Sequence, residues 1–505
     1  MNAWILLPVI LPALSGICLL CSSLRSHLRS SGVDVWHDLK EEERERLHRF
    51  VGIVLVLTAV LALLAAWSGE HEVRLFELME GIPVYFRIDA VGKMFVTFVT
   101  IVWVAVGFYS FLYMKHEGEE RRFFGFFLLV YGVLIALDFA GNLVTMYLFY
   151  ELMTLSSMPL VMHNGSKEAI MAALKYLFYS MCGAYLGLFG IFFLYRCCDT
   201  LTFTAGGSLN AALVSGREGT MLIAVMAMLI GFGAKAGMFP LHAWLPTAHP
   251  VAPSPASAAL SAVIVKSGVL AVVRVVYYMV GTEFLRGTWV QTVWMTLTLL
   301  TVFLGSLLAF REPVFKKRLA YSTVSQVSYV LFGLSLLQPQ AFTGALLHTV
   351  FHAFIKSALF LTAGIIIYQT GKTRVDELRG IGKEMPCMLW CYTFASLGLI
   401  GIPPMSGFVS KWYLAQGALQ ASVGAFRYLG PAVLLASALL TAGYLLPVTI
   451  NGFLPGKDWK VRSGEENGIQ MMLIPLAVLA ALTILLGLFP NPLASYIYEL
   501  AMTVM

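Results

Sequence analysis

The chain has 505 residues, with 34 Lys and Arg against 28 Asp and Glu, a formal net charge of +6. It is 59% hydrophobic and only 12% charged, at a mean hydropathy of +0.79, whereas a soluble domain carries roughly 25% charged residues. That excludes a soluble enzyme, and it excludes nucleic acid as the reason for the positive balance: the charges fall in short polar loops between long apolar runs, as in an all-α polytopic membrane protein whose immediate partner is the lipid bilayer.

Runs of about 20 apolar residues predict membrane spans. In chain order they lie at 3–21, 50–67, 88–113, 123–139, 141–162, 170–194, 219–248, 252–280, 289–309, 319–337, 341–369, 386–421, 429–453 and 470–489, about 14 in all. The first has no basic residue before it and no small-residue cleavage site after it, so it reads as a retained helix rather than a signal peptide. The loop 22–49 contains DLKEEERERLHR, with Glu42–Arg46 and Glu45–Arg49 at helical spacing. It predicts a solvated cytoplasmic helix, with a docking surface for a partner subunit as the sharper alternative.

Asp138 ends the fourth span, and Glu151 stands alone in the apolar run from Asn142 to Met162. An intramembrane acid is costly and points to function, against the blander role of an ion pair stapling two helices. The Gly/Ser/Thr-bearing segment 200–218 reads as a mobile connector. In 219–248, Lys235 precedes Phe239-Pro240 and Pro246. Proline removes a backbone donor and clashes with the preceding turn, so this helix should break just after Lys235. Small residues on both sides of Lys235 leave room for water or a close helix. Desolvation disfavours its charged form, and Glu151 nearby would hold the proton until the acid moved away.

Lys266 lies in mid-span, and Arg274, which keeps its proton, is an electrostatic fixture rather than a relay. Lys93 and Lys175 lie near span starts and read as side chains reaching for the interface. His348, His352 and Lys356 stand at i, i+4, i+8 on one helical face. Imidazole titrates near neutral pH and passes a proton between its two nitrogens; with no carboxylate or thiol nearby in sequence, metal binding is the minority reading. His242 and His249 fall near a membrane face, where a hydrogen-bonded structural histidine is the competing role. The segment 386–421 contains Gly401-Ile402-Pro403-Pro404 and Gly407 ahead of Lys411, a second broken helix. Spans seven and twelve lie five apart, so a five-helix repeat would be inverted in the membrane. The expected divisions are 1–122 with the charged loop, repeats at 123–280 and 281–453, and a last helix and tail at 454–505.

Loops joining odd spans to the following even spans hold 21 Lys and Arg, the opposite loops and tails 6, and the remaining 7 lie within spans. This bias places the first set in the cytoplasm and both termini outside. The seven cysteines show no iron–sulfur or zinc spacing, and there is no Rossmann fingerprint or P-loop, so no cofactor and no metal are expected in this chain.

The segment from Lys235 through Phe239-Pro-Leu-His-Ala-Trp-Leu-Pro-Thr-Ala-His-Pro-Val-Ala-Pro-Ser-Pro-Ala-Ser257 to Lys266 resembles the signature of the antiporter-like subunits shared by respiratory complex I, Mrp-type sodium/proton antiporters and energy-converting membrane-bound hydrogenases. Glu151 matches that family's fifth-helix Glu, Lys235 its seventh-helix Lys and Lys266 its eighth-helix basic residue. His348-x3-His352-x3-Lys356 resembles its eleventh helix, and Pro403-Pro-Met-Ser-Gly-Phe-Val-Ser-Lys411 its broken twelfth. The likeness covers about residues 85–455. It implies 14 helices in two inverted five-helix repeats, with half-channels joined along a central polar axis. Lys411 stands where one complex I branch has Glu, and the sequence around His242 and His249 is closer to hydrogenase-associated and Mrp D-type subunits; the charged 22–49 loop has no counterpart.

The resulting expectation is a proton-translocating subunit of a redox-driven inner-membrane complex. The path runs through Glu151, Lys235, Lys266, His348, His352 and Lys411, supported by Asp138, His249 and Lys356. Its partners would be other antiporter-like and small membrane subunits and peripheral redox subunits, which would carry any iron–sulfur, nickel or quinone site. The alternatives are the D-type component of an Mrp Na+/H+ antiporter, a solitary secondary transporter that binds its substrate at the broken helices, and a scaffold with a vestigial path.

Overall fold

A computed structural model describes residues 3–29, 39–456 and 468–505. Residues 30–38 of the expected cytoplasmic loop and 457–467 ahead of the last expected span lie outside the described residues. The longer helices, in chain order, are α1 (Leu7–Arg29), α2 (Glu41–Trp67), α3 (Ala90–Glu117), α4 (Glu120–Asp138), α5 (Leu143–Val161), α6 (Lys167–Cys197), α7 (Glu218–Lys235), α8 (Leu245–Val251), α9 (Ser254–Val280), α10 (Trp289–Arg311), α11 (Phe315–Ser335), α12 (Pro339–Thr370), α13 (Pro386–Ile400), α14 (Ser406–Gln420), α15 (Phe426–Phe453), α16 (Gln470–Leu488) and α17 (Asn491–Val504). Ten of these, at ten of the fourteen expected positions, are long and apolar enough to cross a membrane. The other four expected spans coincide with α4, α5, α11 and the pair α13–α14, which are shorter or more polar.

Local sequence explains where the helices start and stop. Asn142, Ser166 and Thr288 cap α5, α6 and α10 by accepting from backbone N–H groups three residues on, which satisfies donors a helix start leaves free. Gln338 does the same for α12, Pro339 fills its first position, and Gly371 closes it in a left-handed conformation, the N-terminal Pro and C-terminal Gly asymmetry that suits each residue's backbone.

One element was not expected. Residues 72–87 form an antiparallel hairpin, β1 (Glu72–Met79) and β2 (Ile82–Arg87), turning at Gly81. Val84 and Phe86 of β2 are buried, and Arg87 N–H bonds to Phe139 O (2.9 Å) and Gly141 N–H to Tyr85 O (2.8 Å), so the hairpin is pinned to the α4–α5 turn. From Glu41 on, the expected solvated helix is the charged beginning of α2, and Asp38 lies outside the described residues. Glu42–Arg46 is an exposed pair at 3.9 Å, while Arg44 and His48 turn inward to Glu120.

The centre of the molecule is made by α9 and α12. The membrane-length window of α9 is 100% buried and that of α12 94%, so both are walled in by protein. The most buried helices also carry Lys266, Arg274, His348, His352 and Lys356. α9 leaves regular geometry twice, in π-helical stretches at Leu260–Ile264 and Arg274–Val280; π-bulges widen the backbone and free carbonyls, and they recur at functional sites. α7 reaches α9 so closely that a Cβ on Gly268 would lie 2.6 Å from Phe232 O.

Candidate functional site

Helix α7 ends at Lys235, where Gly237 turns the chain at φ +78° and the Phe239–Pro240 peptide is cis. The chain resumes as helix only at Leu245. The Lys235 side chain is fully buried. Its Nζ donates to Thr154 Oγ1 of α5 and lies 4.5 Å from the centre of the Tyr150 ring. Glu151, on the same helix as Thr154, is half-buried and accepts from Tyr147 Oη at 3.1 Å. Glu151 and Lys235 make no direct hydrogen bond to each other. The two charges attract through space, but Lys235 is held by a hydroxyl and a ring face, and Glu151 sits one turn from Thr154 on α5.

From Lys266 the groups are linked directly. Its Nζ donates to Ser261 O (2.5 Å), a carbonyl of the first π stretch, and meets His352 Nδ1 of α12 at 2.7 Å. Thus the two buried helices, distant in sequence, bring two titratable nitrogens into hydrogen-bond contact. His352 and His348 have ring centres 5.9 Å apart. His348 Nδ1 meets Ser410 Oγ at 2.9 Å and its Nε2 meets Gln326 Oε1 at 3.1 Å.

Ser410 adjoins Lys411, whose Nζ donates to Leu399 O (2.7 Å) and Ile400 O (2.9 Å). Those carbonyls are the C-terminal end of α13, which stops at Gly401 before the cis Pro403–Pro404 peptide and the restart at Ser406. A helix C-terminus attracts a cation through its unpaired carbonyls, so the second break builds a seat for Lys411. A turn further along α12, Lys356 donates to Leu319 O (2.9 Å) and to Ser322 Oγ. His249 is buried against the Phe360 ring at 4.6 Å, with neither ring nitrogen hydrogen-bonded. Asp138 is also buried, and its Oδ2 has no partner; it does not join the row that runs from Thr154 to Lys411.

Lys235, Lys266, Lys356 and Lys411 share one property. Each ammonium is met by hydroxyls, carbonyls or a histidine, and among the described residues none has a carboxylate within 4.0 Å. A buried charge without a counter-ion is costly unless it is hydrogen-bonded. Arg274 is the contrast: it grips Asp89 with both terminal nitrogens, Nη2 to Oδ1 at 2.8 Å, between the rings of Phe203 and Tyr278. A guanidinium keeps its proton, so it needs the paired acid that the lysines lack.

Several contributors were missed from sequence. Ser322, Thr323, Ser325, Gln326 and Ser328 of α11 are all buried; Thr323 and Ser261 share a hydrogen bond of 2.7 Å, and Ser306, Ser325 and Ser437 join hydroxyls. Their signal was legible as a hydroxyl-rich stripe inside an apolar span. Lys316 was counted as a loop cation, yet it is buried and donates to Ala252 O. Among the described residues no group of three or more His, Cys, Asp or Glu is arranged to hold a metal ion.

Comparison with known proteins is consistent with this geometry. Residues 140–441 match the family "NADH:quinone oxidoreductase/Mrp antiporter, TM", and residues 80–124 match "NADH-Ubiquinone oxidoreductase (complex I), chain 5 N-terminus". The chain is 33% identical over 396 residues to the N-type subunit of the NADH-quinone oxidoreductase of Desulforudis audaxviator, covering 76% of this chain and 77% of that one. It is 28% identical over 505 residues to the D-type subunit of the Na(+)/H(+) antiporter of Alkalihalophilus pseudofirmus, covering 99% and 97%. Its fold is similar to that of a component of the membrane-bound sulfane sulfur reductase, an archaeal respiratory membrane complex, at a TM-score of 0.82 and 22% identity, over 99% of this chain and 97% of that one. The chain belongs to the NADH:quinone oxidoreductase/Mrp antiporter transmembrane family.

Proposed function

We propose that this chain is a proton-translocating subunit of a larger membrane complex, moving protons along the buried row from Lys235 through Lys266, His352 and His348 to Lys411. The observation that carries the reading is the 2.7 Å contact between Lys266 Nζ and His352 Nδ1. An ammonium on one buried helix meets a proton acceptor on another, and histidine accepts at one nitrogen while releasing from the other. His352 Nε2 is free of any partner, which leaves it open to pass the proton toward His348. Waters complete the longer gaps, since a water bridges polar groups almost as well as direct contact does.

Glu151 tunes Lys235 by through-space attraction from a half-buried position, where a neighbouring subunit sets its surroundings. The orientation follows the loop charges, with both termini outside and an inner-membrane location. The two five-helix units, 123–280 and 281–453, are the two halves of the path, each with its own broken helix.

The row favours protons over sodium. Its members are nitrogen bases tuned by one carboxylate, whereas hard cations take oxygen ligands. The likeness to the D-type antiporter component over 99% of the chain supports an Mrp-type Na+/H+ antiporter as the second reading. Proton uptake by membrane vesicles carrying the intact complex tests the first. Lys235→Ala and Glu151→Ala should each abolish pumping while the complex still assembles. Retained pumping in both would sink the proposal.

A further inference from the structure

A cavity of about 510 Å³ opens on the face that carries the hairpin and α17, lined by Arg87, Asp89, Tyr278, Tyr496, Glu499 and Thr503. It belongs to no part of the row described above. Its floor is the Asp89 carboxylate, which accepts from Gly92 N–H at 2.9 Å and is gripped from below by Arg274. Tyr496 Oη ties α17 to the start of α3 through Ala90 O at 2.8 Å. Behind this floor lies Asp138, against the first turn of α3: a Cβ on Gly92 would lie 2.6 Å from Asp138 O. Asp138 is 2% exposed, and its Oδ2 makes no hydrogen bond. The charged groups around it are Arg274 from α9 and, beyond it, Asp89 and Arg87.

Asp138 does not stand alone. Seven residues back on the same face of α4, the buried Tyr131 Oη faces the buried Thr100 Oγ1 of the neighbouring helix α3, and neither has another polar partner. The separation along α4 is about 10 Å at 1.5 Å per residue. Buried polar atoms in folded proteins are nearly always satisfied, by protein or by ordered water, and a water needs two to four polar partners. Asp138 Oδ2, which has no partner, and the Tyr131–Thr100 pair place three polar oxygens along one helix–helix seam, and the seam leads inward from the cavity floor.

We propose that this cavity and Asp138 form a second proton mouth on the face carrying the termini, in the first half of the molecule. The inference rests on the proton-translocation reading and adds to it an exchange point with the outer aqueous phase. The Asp138 carboxyl releases its proton from Oδ2 to water reaching past the Asp89–Arg274 pair, the electron pair stays on the carboxylate, and the file along Tyr131 and Thr100 supplies the next proton from within. Arg274 holds the carboxylate so formed until it is reprotonated.

The test uses right-side-out membrane vesicles carrying the native complex. A membrane-impermeant water-soluble carbodiimide and a charged amine are added, and tagged peptides are read by mass spectrometry. Glu499, exposed at the rim, serves as the internal control. Tagging of Asp138 together with Glu499 is the expected result. Tagging of Glu499 alone, or of Asp138 only from the cytoplasmic face, overturns the proposal. In the same membranes Asp138→Asn should lower proton translocation about 100-fold, the scale of a lost proton-transfer group, while Asp138→Glu retains most of it. If Asp138→Asn does not assemble, the wild-type tagging result decides. Lys266→Met, run alongside, separates the two claims: loss there with a wild-type rate in Asp138→Asn overturns the outer mouth alone, and wild-type rates in both overturn the row.

Discussion

Lys266 and His352 carry the most specific claim at the scale of single residues. They are the one place where two titratable side chains of the row touch, so cutting either side should interrupt the path. His352→Ala is expected to slow proton uptake by vesicles about 100-fold with the complex still assembled, the size of effect that a positioned proton-transfer group contributes. A rate within a factor of two of wild type would remove His352 from the path. Arg274 predicts the opposite kind of failure. Replacing it by Gln leaves Asp89 without its bidentate partner, and breaking a buried pair costs about 3–5 kcal/mol. The expected outcome is less assembled complex on native gels; a normal amount would show that the pair is dispensable for folding. Position in the chain betrayed Glu151, Lys235 and Lys411, since an ionisable group between apolar runs is visible without any fold. Position did not betray their partners. Thr154, Ser410 and Gln326 become ligands only because α5, α11 and α14 happen to pack against the helices that hold Lys235 and His348.

Two kinds of element bring the site about: helices that break and helices that touch. Pro240 and the Pro403–Pro404 pair lie in the interruptions after Lys235 and before Lys411, where proline cannot continue a backbone hydrogen-bond ladder. The π stretches of α9 had no such marker. Their residues are ordinary helix formers, and the wider turn arises from packing in a fully enclosed helix. Contact between α7 and α9 depends on Gly268. Gly268→Val would drive a side chain into Phe232 O and Ala236 N, at 2.6 and 2.8 Å from the new Cβ, and overpacking of this kind costs about 1–3 kcal/mol. A lower melting temperature of the purified complex checks it, and an unchanged one would mean that α7 shifts at no cost.

Outside the membrane-spanning part, the start of α2 is fastened to α4 by Arg44 Nε and His48 Nε2, both 2.6 Å from Glu120. Burial would raise the Glu120 carboxyl, but the hydrogen bonds from His48 and Arg44 outweigh it and hold the group below its ordinary 4.5. A lowered carboxylate contributes its full stability above the ordinary value and loses it as pH falls through the lowered one. Hydrogen exchange at the start of α2 should therefore stay slow above pH 4.5 and rise only below it. In Glu120→Gln the exchange should be fast already at neutral pH, with no further acid step; a wild-type profile in that variant would show that other contacts hold α2.

For the whole molecule, the question is which assembly it serves. Its family spans subunits of quinone-linked and sodium/proton systems alike, and the buried row is common to both readings. Isolation of the chain from native membranes in mild detergent, with stoichiometric partners identified by mass spectrometry, should yield soluble iron–sulfur, nickel-bearing or quinone-reducing subunits. Only small hydrophobic partners would establish the Mrp-type reading, and a chain that purifies alone would overturn both in favour of a solitary transporter. Two half-buried charges, Glu151 and Lys411, are the groups of the site most open to a neighbouring subunit.

Composition and spacing alone were sufficient for a helical membrane protein and for its isolated charges, because lipid imposes long apolar runs and makes each exception conspicuous. They were sufficient too for the family, through the segment from Lys235 to Lys266. Tertiary structure alone decided which exceptions meet. A single helix records which residues share its face, but the pairing of Lys266 with His352, the carbonyl seat of Lys411, the separation of Glu151 from Lys235 and the hairpin pinned beside the outer cavity depend on how helices distant in the chain are turned toward one another. That rotation is set by close packing of side chains across many interfaces at once, information no local stretch of sequence contains.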